Sequence, residues 1–339
     1  MKNLKLFELP INKIPGDYYW DYFLKEPELE IMDLISDYSI SIDRKKYLFK
    51  KYVCIINIET STYCNRMCTY CPNSIYDRSK QKYISSQSWN RLLSDLIDIK
   101  YCSTISLNQY NEPLADKYLF DKISQLKNEL PNSFIKFNSN GDFINSEILD
   151  RLVESGNNAI FITLHTNNWE IYKDDLKKKQ FETFYKKIGK DLNFETIIPN
   201  TMIQSEFYHK GMRVLVMANN WSKYGNNRSG IISELSIQNR INPCVRPFRE
   251  LTVAHDGFVY PCCQFFPDIK GNNKFRVGNV ENDGLFNIYL SSELNSIRKN
   301  LLPFGLKMSP CNTCRDNDKS TLESTFMRNN LIKMSDKDE

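Results

Sequence analysis

From Tyr52 onward the chain alternates between two hydrophobic periodicities. YVCIINIE (52–59) is rich in β-branched and apolar residues and predicts a strand. Helical spacing over Trp89–Ile99, Ala115–Leu130, Ser146–Ser155 and within Trp169–Ile188 is interleaved with strand-like runs. Those runs are Ser103–Asn108, Phe134–Asn138, Ala159–Leu164, Asn193–Ile198 and Arg213–Met217. A βα repeat of this kind implies an α/β fold on a parallel sheet, open or closed. Along the first strand, Cys54, Ile56 and Ile58 share an apolar face, and Asn57 and Glu59 share a polar one. Cys54 is therefore expected in the core. Glu59 is expected to hold a substrate, to position the loop that follows, or to serve structure alone.

Flanking this repeat, the pattern is weaker. Pro10–Trp20 reads as loop, and Tyr22–Ser36 has roughly helical spacing with Pro27 marking a start inside it. From Ile241 the pattern changes again. RELTVAHDGFVYP predicts two short strands joined by a His255-Asp256-Gly257 turn. The division expected is an extension over 1–50, a core over 51–235, a small α+β unit over 236–318 and a tail over 319–339 that ends in disorder.

Composition narrows the function classes. Forty-five basic against 41 acidic residues leave a net charge of only +4, so no nucleic-acid partner is expected. No apolar run approaches the roughly 20 residues that span a bilayer, so no membrane partner is expected either. Glu8 and Pro10 interrupt what would be the core of a signal peptide, which places the protein in the cytoplasm. In that reducing compartment its 10 cysteines read as metal ligands rather than disulfides.

Three of them crowd one loop directly after the first strand. In TSTYCNRMCTYCPNS (60–74), Cys64, Cys68 and Cys71 offer soft thiolates suited to an iron–sulfur cluster or zinc. A [4Fe–4S] cluster held by three of them keeps one iron open, whereas zinc wants a fourth ligand nearby and the next histidine is His165. Cys102 lies six residues before Asn108, roughly 20 Å down the second strand from its end, and is no site candidate. Further on, Cys244, Cys262, Cys311 and Cys314 form a second set, which the hairpin and the C-x2-C knuckle would bring together around one metal. Zinc and an iron–sulfur cluster both fit that set on spacing alone.

CNRMCTYC resembles the C-x3-C-x-aromatic-C signature of the radical S-adenosylmethionine (SAM) superfamily. The resemblance implies a partial (β/α)6 barrel like that of triose-phosphate isomerase, with chemistry at the C-terminal ends of the strands. It also implies that SAM occupies the open iron and that Tyr70 sits beside the cluster. Asn111 and Glu112, in NQYNEPL (108–114), are similar to the family's Gly-Gly-Glu-Pro stretch, although the glycines are absent. They would meet the SAM amino group. Asn138-Ser139-Asn140-Gly141 is similar to Thr-Asn-Gly, which implies that Ser139 and Asn140 bond the ribose or carboxylate. His165, at the end of the next strand, would line the pocket as an acid or base, with a turn-capping role equally open. The late cysteines with Gly278-Asn279 resemble the twitch domain, a shortened SPASM domain, which implies one auxiliary [4Fe–4S] cluster. Either Cys262 or Cys263 would ligate it. Cys263, if free, would stand as a hydrogen-atom donor and is the catalytic candidate.

The implied activity is that of an oxidoreductase. SAM is cleaved reductively to a 5′-deoxyadenosyl radical that takes a hydrogen atom from substrate, and the auxiliary cluster assists a net oxidation. A flavodoxin- or ferredoxin-type partner would supply the electron. The first expectation for substrate is a peptide or protein side chain. The alternative is a polar small molecule, a sugar or aminocyclitol, undergoing dehydrogenation or epimerisation. A zinc-binding protein without enzymatic activity is the third reading.

Overall fold

Ten strands form one sheet in the computed structural model, which describes residues 33–35, 39–166, 171–240, 244, 246–301 and 305–315. They are β1 (Ile55–Ile58), β2 (Thr104–Ser106), β3 (Phe134–Ser139), β4 (Ala159–Thr163), β5 (Thr196–Ile198), β6 (Met202–His209), β7 (Met212–Asn219), β8 (Glu250–Val253), β9 (Phe258–Tyr260) and β10 (Gly278–Asn279). Their order is β10-β9-β8-β1-β2-β3-β4-β7-β6-β5. The six strands from β8 to β7 run parallel, while β9 with β10 and β6 with β5 close the two ends antiparallel.

Six parallel strands are thus present, but not the six anticipated. The segment over 193–198 contributes only β5, which pairs antiparallel with β6 at the edge. The remaining parallel position is filled by β8, whose Glu250 lies opposite Ile55 of β1. The hairpin therefore extends the core sheet. The turn at His255-Asp256-Gly257 joins β8 to β9 as expected, with Gly257 at φ +77°.

Helices cover the sheet where the apolar spacing requires it. The longer ones are α1 (Ile42–Tyr52), α2 (Ser86–Asp98), α3 (Leu119–Glu129), α4 (Ser146–Ser155), α5 (Asp174–Ile188) and α6 (Ser292–Leu301). Ser85 caps α2 by accepting from Ser88 N at 2.9 Å, and α2 buries Trp89, Leu92, Leu93 and Leu96. Asn145 caps α4 by accepting from Ile148 N at 2.8 Å. α1 buries Leu48, Phe49 and Tyr52, and the Phe49 ring meets the edges of Phe286 and Tyr289 at 5.4 Å.

Strand β1 is buried on both faces: Ile56 and Ile58 on one, Asn57 and Glu59 on the other. Cys54, placed in the core by parity, stands half-buried just outside β1, where its sulfur accepts from Arg249 Nη2 at 3.3 Å. The strand begins at Ile55, three residues after the Tyr52 start that the pattern indicated, so the parity argument does not reach Cys54. Cys102 is exposed, in keeping with its exclusion from the site. Of the expected helix over Tyr22–Ser36 only Asp33–Ile35 fall among the described residues, and these are helical. The Pro10–Trp20 loop and the tail over 319–339 lie outside them.

Candidate active site

Every parallel strand of the central sheet from β1 to β7 ends at one cavity of about 540 Å³. Its wall takes Cys64, Cys68 and Cys71 from the loop after β1, and Gln109 to Glu112 from the turn after β2. Ser139 and Asn140 come from the end of β3, Thr163 and His165 from β4, and Trp221 to Arg228 supply residues beyond β7. This is where parallel αβ architecture places chemistry, because loops at the strands' C-terminal ends are free to vary.

The three thiols of the first loop share that wall, and burial pushes Cys64 up to about 11 and Cys68 to about 12; Cys71 is raised for the same reason. Left alone they hold their protons, and a metal centre would displace them. Among the described residues no three His, Cys, Asp or Glu side chains converge as ligands of a single ion would. Beside the loop, where its N donates to Tyr63 O at 2.8 Å, Glu112 is 2% exposed and accepts from Ser139 Oγ at 2.8 Å, Asn140 N at 2.7 Å and Leu114 N at 3.2 Å. Burial outweighs these donors and lifts its carboxyl to about 7. Asn140 Nδ2 donates to Asn65 Oδ1 at 2.7 Å and lies 4.0 Å from Cys64 Sγ. Asn111 faces the same cavity, but its Oδ1 is taken by Gln109 N at 3.0 Å. Gly141, at φ +79°, makes the turn that brings Ser139 and Asn140 into place, and a Cβ there would meet Ile162 Cγ2 at 2.8 Å.

Tyr70 and His165 meet across the cavity floor. The Tyr70 hydroxyl and His165 Nδ1 share a hydrogen bond of 2.8 Å, with the rings 5.8 Å apart. Burial holds the imidazole down to about 3, helped by Arg66 and Lys177. His165 is therefore neutral, which removes it as a proton donor near neutral pH and leaves it as a partner for Tyr70.

Glu59 does not face this cavity. It is fully buried and holds Arg78 through two oxygens at 2.8 and 2.9 Å, His255 Nδ1 at 3.0 Å and Tyr110 N at 3.2 Å. Burial alone would raise its carboxyl, but Arg78 first and then His255 bring it down to about 2. Of the roles open to it, positioning wins: it ties the loop after β1 to the hairpin turn.

None of the second set of cysteines lines this cavity, but its members lie within electrostatic reach of one another. Cys244 acts electrostatically on both Cys262 and Cys311, and Cys311 also feels Cys314. Cys262 packs beside Tyr260 and Phe265, whereas Cys263 Sγ turns to Arg246 Nη1 at 3.5 Å and Gln264 Nε2 at 3.9 Å. Cys263 is half-buried and does not itself line the cavity, though Arg246 and Gln264 do.

Comparison with known proteins sharpens this geometry. A family model described as the radical SAM superfamily matches residues 58–203, and one described as an iron–sulfur cluster-binding domain, SPASM, matches residues 244–315. The chain carries a radical SAM domain with a SPASM-type domain behind it. Its match to an S-adenosyl-L-methionine-dependent 2-deoxy-scyllo-inosamine dehydrogenase of Niallia circulans is 25% identical over 253 residues, covering 74% of this chain and 88% of the relative. A crystal structure of BtrN in complex with AdoMet and 2-DOIA aligns with a TM-score of 0.56 at 23% identity, over 74% of this chain and 88% of that one. That likeness shows the fold, a partial barrel followed by a C-terminal domain.

This radical SAM enzyme is an oxidoreductase that uses SAM and [4Fe–4S] clusters, an auxiliary one among them. The residues present fit those groups. Three thiols line a cavity large enough for a nucleoside beside them, and Asn73 Oδ1 and Trp221 Nε1 are buried in its wall with no partner among the described residues. Such orphaned polar atoms await a ligand. The sequence reading missed Asn73, Gln109, Trp221, Arg228 and Gln264 as wall residues. For Trp221 and Arg228 the signal was available: they follow directly on a strand parallel to β4, whose C-terminal end had to face the site.

Proposed function

We propose that this chain oxidises a hydroxyl-bearing carbon of a small polar molecule, cyclitol-like or sugar-like. The single observation that carries this reading is the cavity wall, where eight carboxamides stand: Asn73, Asn108, Gln109, Asn111, Asn138, Asn140, Asn226 and Gln264. Each carboxamide both donates and accepts, which matches a ligand dense in hydroxyls. The relative from Niallia circulans supports the same class. Peptide maturation, the first expectation, has less behind it. Four arginines (Arg66, Arg228, Arg246 and Arg315) line the wall against one carboxylate, Glu112, which favours a neutral or anionic polyol over a strongly cationic one.

When bound, SAM and the two clusters supply the agent that removes a hydrogen atom from carbon and a place for the surplus electron. The chain's own part is holding and shielding. Cys64, Cys68 and Cys71 ligate the SAM-site cluster, and Cys244, Cys262, Cys311 and Cys314 the auxiliary one, with Cys263 left as a neighbour of Arg246. Glu112 accepts the SAM ammonium, while Ser139, Asn140 and Asn111 fix the rest of that molecule, and Tyr70 with His165 forms the floor. Residues 51–235 carry the SAM site and 236–318 the auxiliary one, and a flavodoxin- or ferredoxin-type protein of the cytoplasm delivers the electron.

The test is deuterium transfer. Anaerobically reconstituted enzyme is given cyclitols, amino sugars and phosphorylated sugars deuterated at the carbinol carbon. Deuterium in the released 5′-deoxyadenosine, with a ketone product, is the expected result. Transfer from peptide substrates alone would overturn the reading.

A further inference from the structure

The segment after β7 is fastened to the C-terminal cysteine pair. Asn227 Nδ2 donates to Thr313 O and Thr313 Oγ1 at 2.9 Å each, and Arg240 N donates to Asn312 O at 2.7 Å. Between them, Asn226 Nδ2 donates to Cys314 Sγ at 3.3 Å. The orientation of that amide is fixed, because its Oδ1 accepts from Arg228 N at 3.3 Å. As a thiol, Cys314 also reaches back to Asn226 Oδ1 at 3.7 Å, a contact that ends once the sulfur ligates. Asn226 is 9% exposed, and it lines the same cavity that holds the SAM-site cysteines.

We propose that Asn226 is a positioning residue that sets the reduction potential of the auxiliary centre from the wall of the substrate cavity. An amide N–H on a ligand sulfur draws electron density from it and favours the reduced state, so the potential rises. Because the same amide faces the cavity, an occupant that engages it is felt at Cys314. The inference rests on the reading above that Cys314 ligates the auxiliary cluster. Asn140, near Cys64 Sγ at 4.0 Å, sits in a comparable place at the other centre, so the two potentials are separable by substitution.

The experiment is a redox titration followed by electron paramagnetic resonance on the full chain with both clusters reconstituted, comparing the natural protein with Asn226→Leu and Asn226→Asp. Leucine removes the donor. Aspartate keeps the shape and the acceptor for Arg228 N while losing the N–H, so it remains informative should the leucine variant fail to fold. The expected result is an auxiliary midpoint shifted to more negative potential in both variants, further in Asn226→Asp, with the SAM-site midpoint unmoved. Two clusters with an unchanged auxiliary midpoint would overturn the inference while leaving the ligand assignment standing. A single cluster in the natural protein would overturn both.

Discussion

Glu112 accepts three hydrogen bonds and still sits near 7, because burial disfavours its charge more than the donors favour it. A carboxyl in that position is half neutral at physiological pH and accepts an ammonium group fully only when ionised. SAM affinity of the cluster-loaded enzyme should therefore strengthen as pH rises through 7, and calorimetric titration at pH 6, 7 and 8 reads it. Glu112→Gln should weaken SAM binding by about 10- to 100-fold, the worth of a charged hydrogen bond, and flatten the pH dependence. Pocket residues of this kind were legible where a motif named them. Glu112, Ser139, Asn140 and the three cysteines share the cavity as the sequence implied. Asn73 and Gln264 were not legible, since nothing in their own neighbourhood marks a cavity wall assembled from distant turns. His165 was half legible: its place at the end of β4 was expected, but its neutral state follows from burial, which local sequence does not show.

At the level of elements, one buried ion cluster locks the Cys loop to the hairpin. Glu59, Arg78 and His255 come from the end of β1, the stretch after the loop and the β8–β9 turn, and Asp268 joins through Arg78 Nε at 2.8 Å. Arg78→Met leaves Glu59 buried without its bidentate partner and should destabilise the fold by about 3–5 kcal/mol, measured from the denaturation midpoint. A loss below about 1 kcal/mol would show that the pair is dispensable. The carboxyl of Glu59 falls from 4.5 unfolded to about 2 folded. Its share of stability, about 3 kcal/mol, is thus present above pH 4.5 and lost as pH falls toward 2. A Glu59→Gln variant should lose that acid sensitivity.

The elements themselves were legible in proportion to how one-sided their signals are. β3 and β4 and helices α2 and α4 emerge from apolar runs close to where they occur. β6 was missed because MIQSEFYH mixes polar residues with apolar ones, next to the edge strand β5. α1 was missed because IDRKKYLFKKY carries six charges besides its buried Leu48, Phe49 and Tyr52.

Across the whole molecule, the two cysteine sets lie on one architecture. β8 pairs with β1 across 194 intervening positions, Ile55 against Glu250, so the SPASM-type segment extends the sheet whose loops form the cavity wall. Sequence pattern marks each strand but not its distant partner, which is why the hairpin read as part of a separate unit. The continuity gives the cavity a wall that belongs to both: Gln264 from beyond the hairpin, Asn226 from beyond β7 and Tyr110 from beyond β2. No helix among the described residues is long and apolar enough to cross a membrane.

The central claim is that three thiols on the loop after β1 hold the cluster at which SAM is cleaved. Iron, sulfide and 5′-deoxyadenosine should be measured on anaerobically reconstituted protein and on the variant in which Cys64, Cys68 and Cys71 are all alanine. The account predicts about eight irons per chain falling to about four, with 5′-deoxyadenosine formation abolished. Undiminished 5′-deoxyadenosine from the variant, or zinc in place of iron in the natural protein, would contradict it.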